Sequence, residues 1–108
     1  MAGRYDTLSP PVLDLLAAVS RAADTAGVPL SLCGEMASRP LEALALVGLG
    51  ITRLSMPASA LPAVKAQLAA TDMVAFRDLL DTARLGAGGA ASLRETLSSW
   101  VREHAAVV

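Results

Sequence analysis

The chain has 108 residues, enough for one domain with a single modest core. Apolar residues make up 54% of the sequence, much of it alanine, and Tyr5, Phe76 and Trp100 are the only aromatic residues, so the core must consist mainly of Leu, Val, Ala and Met. Nine basic and ten acidic side chains leave a formal net charge of −1, which excludes the positive field that gathers nucleic acid or an acidic membrane surface.

The sequence carries no signal for export or membrane insertion. The single cysteine, Cys33, cannot form an internal disulfide. The amino-terminal residues lack the charged region, long apolar run and cleavage site of a secretory signal. The longest apolar stretches, such as residues 44–49, are far shorter than the roughly 20 residues that a membrane-spanning helix needs. We therefore expect a cytoplasmic protein with no membrane partner.

The first predicted element is a helix over about residues 10–26. Ser9 can accept a hydrogen bond from a free amide, and Pro10 and Pro11 fit a first helical turn because their missing N–H groups cost nothing there. Apolar residues follow at helical spacing, and Gly27 supplies a stop before Pro29.

Two short apolar runs predict buried strands. Residues 28–33 lie between Gly27 and Gly34 and suit a strand buried on both faces, and residues 51–56 suit a second one. Pro40 opens a helix between them, with the Gly-Leu-Gly of residues 48–50 as its stop. Strand, helix and strand in this order predict a parallel pair with a right-handed crossover. Such a pair needs neighbouring strands and cover on both faces, and no internal repeat supplies them.

Further helices are predicted after the second run. Apolar residues at 61, 64 and 68 form the stripe of a third helix, and Thr71-Asp72 can cap a fourth that carries Phe76. The glycine-rich residues 86–89 predict a flexible break. Ser92 and Glu95 have the spacing of a capping box, so the chain is predicted to end in a helix. Phe76 and Trp100 are expected to anchor these terminal helices to the body.

The charged residues of the terminal helices do not indicate a binding site. Arginines at positions 77, 84, 94 and 102 alternate with acidic residues, which is typical of a solvated helical surface rather than of a nucleic-acid interface. His104, the only histidine, is expected to be a partly exposed residue of the last helix. One histidine and one cysteine without ligand spacing predict no metal site.

An ordered set of motifs resembles a known family. Residues 30–37 read Leu-Ser-Leu-Cys-Gly-Glu-Met-Ala, and after Pro40 come an alanine- and leucine-rich helix, Gly-Leu-Gly at 48–50 and Leu-Ser-Met at 54–56. These blocks, at these spacings, are similar to a diagnostic region of the phosphoenolpyruvate-utilising enzymes, and residues 5–13 and 61–65 resemble its flanks. The likeness is to the phosphoenolpyruvate-protein phosphotransferases of the bacterial phosphotransferase system, sugar-linked or nitrogen-linked, rather than to pyruvate phosphate dikinase, which usually has histidine where Met36 stands.

The resemblance implies an α/β fold that is the C-terminal fragment of a (β/α)8 TIM barrel, with the last two parallel strands and their helices followed by terminal helices. Residues 1–108 would then form a single partial domain, since a complete barrel takes about 250 residues. In this family the barrel binds phosphoenolpyruvate and Mg²⁺ and dimerises, and the whole enzyme phosphorylates its own histidine and then a phosphocarrier protein. We therefore expect the chain to be inactive alone. The open edges of a two-stranded parallel pair predict a homo-oligomer or a poorly ordered monomer in solution.

The resemblance also implies a role for Cys33, which occupies the position of the family's acid for the methylene carbon of enolpyruvate. A thiol stays protonated near neutrality yet can give up its proton, and the carboxyl end of a strand is where barrel active sites lie. Without the resemblance, Cys33 would be interpreted as a small buried apolar residue. The family's Mg²⁺ and phosphate ligands lie on earlier strands, so Glu35 is not assigned as a ligand and no cofactor is expected for this chain alone.

Several neighbouring residues leave alternatives open. Met36 and Met56 are expected to fill the core, although both could line the substrate mouth, and Arg4 and Arg39 are expected on a solvated surface although their charge suits phosphate. Ser-Arg at 38–39 and Pro57 depart from the family pattern, which affects the predicted loop geometry. The alternative function is a non-catalytic interaction or dimerisation module derived from the same barrel.

Overall fold

The computed structural model describes residues 7–85 and 92–104. Within these ranges the fold is α/β, mostly helical with one parallel pair of strands, as the sequence predicts. The elements in chain order are α1 (Pro10–Ala26), β1 (Ser31–Cys33), α2 (Glu35–Ser38), α3 (Pro40–Gly48), β2 (Arg53–Ser55), a 3₁₀ helix (Ala58–Ala60), α4 (Leu61–Ala69), α5 (Met73–Leu85) and α6 (Leu93–Glu103).

Helix α1 has the predicted bounds, but its start differs in detail. The Ser9 side chain makes no capping hydrogen bond, and only its carbonyl oxygen accepts one, from the Leu13 amide at 3.0 Å. Proline at the first two helical positions explains this, because one of the amides that a capping serine normally serves is missing there. Gly27 ends the helix with a left-handed φ of 70°, as predicted.

The two strands are parallel, but the prediction that they are buried on both faces is wrong. The register pairs Ser31 with Arg53, Leu32 with Leu54 and Cys33 with Ser55. In both strands the first and third residues are exposed and only the central leucine is half-buried. The physical reason is that no third strand pairs with them within residues 7–85 and 92–104, so nothing in this part of the chain covers the outer face.

Helix α3 lies at the centre of the molecule and is buried from Glu42 to Leu46. It ends as predicted, and Gly50, with a φ of 99°, turns the chain toward β2. One core cluster joins α1, α3, α5 and α6 and contains Leu8, Leu13, Leu44, Ala45, Phe76, Leu80, Leu93 and Leu97. A smaller cluster of Ala37, Leu46 and Ile51 packs α2 and α3 against the inner face of the strand pair.

The predicted caps of the last two helices are present. Asp72 Oδ1 accepts hydrogen bonds from the amides of Val74 at 3.1 Å and Ala75 at 3.2 Å. Ser92 and Glu95 form the reciprocal capping box. The ring centroids of Phe76 and Trp100 lie 5.7 Å apart in an edge-to-face arrangement, which ties α5 to α6 as expected. The predicted break at residues 86–89 lies outside the described residues.

The expectation of a purely solvated arginine surface is wrong at two positions. The Arg84 Nε donates to Asp14 Oδ1 at 2.9 Å and so links α5 to α1. The Arg94 Nη2 donates to Glu42 Oε2 at 2.7 Å and links α6 to α3. Spacing along one helix cannot reveal such pairs, because each partner lies in a distant part of the sequence.

Among the described residues, no helix is both long and apolar enough to span a membrane.

Candidate functional site

Cys33 lies at the carboxyl end of β1, beside Ser55 at the carboxyl end of β2. Because parallel strands end at the same edge of a sheet, the chain that follows each strand starts from one common edge. The Cys33 thiol is exposed and forms no disulfide. The interpretation of Cys33 as a buried apolar residue is therefore wrong for this chain, and the thiol is open to a ligand or to a covering segment.

A glycine turn follows directly after the thiol. Gly34 has φ 104° and ψ −164°, a region that side-chain-bearing L-residues rarely adopt. The turn leads into α2, a single helical turn that the sequence analysis missed because four residues carry no helical periodicity. The Ser38 hydroxyl donates to the Gly34 carbonyl oxygen at 3.1 Å and closes this turn. We call residues 34–39 the cysteine loop.

Arg39 ends the cysteine loop and opens α3. Its backbone is extended, with φ −102° and ψ 130°, as expected for a residue that precedes proline. Its carbonyl oxygen accepts a hydrogen bond from the Ala43 amide at 2.8 Å, and this bond begins α3. Its guanidinium lies 3.5 Å from Glu35 and 3.6 Å from Glu42. Arg39 is exposed, as predicted, but its contacts connect the loop to the buried helix.

Glu42 is a buried acidic residue that the sequence analysis did not select. Only 2% of its surface is exposed, and it is the one buried charged residue in the part of the chain that the structure describes. The signal for it was present, since the rest of α3 is apolar on every side and predicts a helix buried all round. An acidic residue in such a helix requires a cationic partner, which Arg94 provides.

A groove that borders the strands does not include Cys33. It has a volume of about 470 Å³ and lies at the opposite, amino-terminal ends of the strands. Its polar lining includes Arg21, Asp24, Thr52 and Arg53. Active sites of parallel α/β folds lie at the carboxyl ends of the strands, so this groove is a poor candidate for the chemistry of Cys33.

The remaining predicted residues lie in several places. Met36 is half-buried against both core clusters, and Met56 is half-buried after β2. His104 is exposed and stacks on Trp100 with ring centroids 4.3 Å apart, and its Nδ1 lies 2.9 Å from the Trp100 carbonyl oxygen. Arg4 lies outside the described residues. Within residues 7–85 and 92–104, no three His, Cys, Asp or Glu side chains gather as potential metal ligands.

Comparison with known proteins decides the family. Residues 1–73 match the family model described as PEP-utilising enzyme, PEP-binding domain. The chain belongs to this family. The matched residues of this PEP-utilising enzyme domain contain both strands, the cysteine loop and α3, whereas α6 lies beyond them.

Curated relatives place the chain among the phosphotransferase-system members of the PEP-utilising enzymes. It is 48% identical over 64 residues to the phosphoenolpyruvate-protein phosphotransferase of Streptomyces coelicolor, covering 59% of this chain and 12% of that protein. It is 42% identical over 76 residues to the protein of the same name from Haloferax volcanii, covering 70% and 14%. It is 39% identical over 79 residues to the multiphosphoryl transfer protein of Rhodobacter capsulatus, covering 73% and 10%. No solved structure gives a significant match.

The predicted relationship to the phosphoenolpyruvate-protein phosphotransferases is thereby confirmed. The chain spans only about an eighth of the length of the Streptomyces coelicolor relative. The PEP-utilising enzyme domain described here is thus a short part of what those relatives contain.

Proposed function

We propose that this chain is the last part of a phosphoenolpyruvate-binding (β/α)8 barrel in a phosphoenolpyruvate-protein phosphotransferase, and that residues 1–108 are a single partial domain. The parallel order of β1 and β2, with α3 between them, supports this proposal. The exposed outer residues of both strands are what an incomplete barrel leaves uncovered. The strands and helices of the first six units then belong to a polypeptide segment outside this sequence.

The proposed chemistry of Cys33 is proton transfer to carbon. After the phosphoryl group of phosphoenolpyruvate has passed to an enzyme histidine, the electron pair of the broken P–O bond stays on oxygen and the enolate of pyruvate remains. The Cys33 S–H bond breaks as a new C–H bond forms at the methylene carbon, which gives pyruvate and a thiolate, and solvent returns the proton to sulfur. In reverse the thiolate removes the proton. The single observation that carries this role is the exposed thiol at the carboxyl end of a parallel strand, in a chain of this family.

Mg²⁺ and the phosphate clamp are proposed to depend on residues outside this chain. The described residues gather no set of candidate metal ligands, so they do not fit the ion by themselves. The reacting histidine and the surface that receives the phosphocarrier protein are likewise assigned to other segments of the whole enzyme. Alone, the chain is expected to transfer no phosphate.

A chimaera tests this proposal. The segment of the Streptomyces coelicolor enzyme that aligns with this chain is replaced by residues 1–108, and two reactions are followed. These are phosphoenolpyruvate-dependent phosphorylation of the phosphocarrier protein and incorporation of deuterium from D₂O into the methyl group of added pyruvate, which requires removal of a methyl proton. We expect both reactions in the chimaera and neither in the isolated chain.

The matched variants are Cys33→Ala and Ser31→Ala. Both residues are exposed on the same strand, but only Cys33 ends it. Loss of an acid/base group lowers a rate by about 100-fold or more, so Cys33→Ala should lose deuterium incorporation while Ser31→Ala retains it. Equal rates in the two variants would refute the role of Cys33. An inactive chimaera with a correctly folded remainder would refute the barrel assignment.

The alternative function, an interaction or dimerisation module, is favoured by the apolar side chains that the chain leaves exposed. Leu15 and Val19 on α1, Val28 before β1 and Val74 on α5 are all exposed. Together with two open strand edges they favour self-association. We therefore propose that the isolated chain forms a homo-oligomer, which sedimentation velocity would detect. Self-association without any rescue of activity in the chimaera would support the module over the enzyme segment.

A further inference from the structure

Helix α6 contacts the buried part of the molecule through a charged pair. The Arg94 Nη2 lies 2.7 Å from Glu42 Oε2, with 2% of the Glu42 side chain and 35% of the Arg94 side chain exposed. A carboxylate this deeply buried needs a cation beside it, since desolvation would otherwise disfavour its charge. Arg94 occupies a defined position because the reciprocal capping box of Ser92 and Glu95 fixes the first turn of the helix that carries it.

The same carboxylate oxygen also contacts the cysteine loop. Glu42 Oε2 lies 3.6 Å from the Arg39 guanidinium, and another nitrogen of that guanidinium lies 3.5 Å from Glu35. Glu35 is the second residue after Cys33. An unbroken series of charged contacts therefore runs from α6 through Glu42 and Arg39 to the beginning of the loop.

The backbone reinforces this path at one point. Arg39 is both the last residue of the loop and the cap of α3, with its carbonyl oxygen bonded to the Ala43 amide. An exposed ion pair such as Arg39 with Glu35 orders little by itself. Arg39, however, also contacts the buried carboxylate of Glu42, which restrains this end of the loop. The Ser38 to Gly34 hydrogen bond then transmits that restraint to the turn beside Cys33.

We propose that Glu42 and Arg94 are positioning residues for the cysteine loop, so that α6, which lies beyond the matched family domain, holds the turn after Cys33 in place. The importance of this positioning for catalysis rests on the proposed function of Cys33. The restraint itself does not, and it is measurable in the chain without phosphoenolpyruvate.

The test compares loop order in variants of the full 108-residue chain. The measured quantity is the ¹⁵N order parameter of the residue 34–39 amides, with circular dichroism to confirm that each variant is folded. Glu42→Gln keeps the size of the side chain but removes its charge. Arg94→Met keeps a long side chain but removes the cation, and Arg94→Lys keeps the cation.

Leu97→Ala provides the matched control, because Leu97 is fully buried on the same helix and its truncation weakens the core without altering a charged group. We expect the loop order parameters to fall from about 0.85 to below about 0.6 in Glu42→Gln and Arg94→Met. They should stay near the parent value in Leu97→Ala, and Arg94→Lys should recover most of the loss.

Two outcomes would overturn the proposal. One is a loop that stays ordered in both Glu42→Gln and Arg94→Met. The other is a loop that loosens as much in Leu97→Ala as in Glu42→Gln and Arg94→Met. That result would show that the loop responds to the overall stability of the fold and not to the charged contacts. Because these readouts require no substrate, a loop that loosens as expected while Cys33→Ala leaves the chimaera fully active would refute the function proposed for Cys33 and uphold the restraint.

Discussion

Gly48 lies where α3 passes α5, and replacing it with alanine tests how tightly these helices pack. A Cβ atom placed on Gly48 would lie 2.9 Å from Leu80 Cδ2 and 3.6 Å from two ring carbons of Phe76. Leu80 and Phe76 are fully buried, so the leucine end cannot turn into solvent. The contact is closer than carbon atoms normally approach, and the core must shift to admit the methyl group.

Two opposing effects set the magnitude for Gly48→Ala. Gly48 has no positive φ, so alanine fits its backbone and is favoured over glycine by about 0.4–1 kcal/mol, mainly because it restricts the unfolded chain. Overpacking a core costs about 1–3 kcal/mol. We expect the packing cost to dominate and the free energy of unfolding to fall by about 1 kcal/mol, which lowers the melting temperature by roughly 4 °C.

The Leu80→Val background separates the two effects, because valine lacks the Cδ2 atom that the new methyl group meets. In this background Gly48→Ala should raise the free energy of unfolding by about 0.4–1 kcal/mol, the gain from replacing glycine alone. Urea unfolding of the four chains gives the coupling between the two sites. If Gly48→Ala stabilises the parent chain as much as it stabilises Leu80→Val, the close contact is absent and the reasoning fails.

Three further outcomes are expected of the isolated chain. Asp72→Ala removes the cap of α5 and should lower the free energy of unfolding by about 1 kcal/mol in a urea titration. Asp72→Asn should retain most of the parent stability, because asparagine is also a good cap, and equal losses in the two variants would contradict the capping role. Arg84→Met breaks the ion pair with Asp14 and should lower the free energy of unfolding by about 0.5 kcal/mol at low salt, and by less in 1 M NaCl. A loss of stability that does not depend on salt would show that Arg84 contributes packing rather than charge. In the folded chain, Cys33 should react with Ellman's reagent at a rate within about 10-fold of its rate in the urea-unfolded chain, because exposure governs access to a thiol. A thiol that reacts only after unfolding would show that Cys33 is covered in the folded chain.

Local signals predicted the helices well. The prolines in the first turn of α1, the glycine after this helix, and the caps of α5 and α6 act within a few residues. The sequence therefore displays both members of each interaction. The family motif predicted the position of Cys33 at the end of a strand for the same reason, because spacing and glycine placement are local properties.

Predictions that depend on distant partners did less well. The apolar pattern of residues 28–33 gives a strand that prefers cover on both faces, and whether cover is present depends on segments elsewhere. The pairing of Glu42 with Arg94 spans 52 positions and follows no periodicity. Helix α2 was not predicted because one helical turn is too short to show an apolar pattern. Two local features contribute to this turn, namely the unusual backbone conformation of Gly34 and the hydroxyl of Ser38.

The backbone conformation at Gly34 favours a D-residue over an L-residue at this position. Its φ of 104° and ψ of −164°, with both signs inverted, are ordinary extended values for an L-residue. A D-residue therefore meets here the conformation that it prefers, while an L-residue is strained. Cys33 makes the junction between residues 32 and 33 suitable for chemical ligation, so a synthetic chain with D-alanine at position 34 is accessible. Because D-alanine restricts the unfolded chain, it should stabilise the fold by about 0.4–1 kcal/mol, whereas L-alanine at the same position should destabilise the fold.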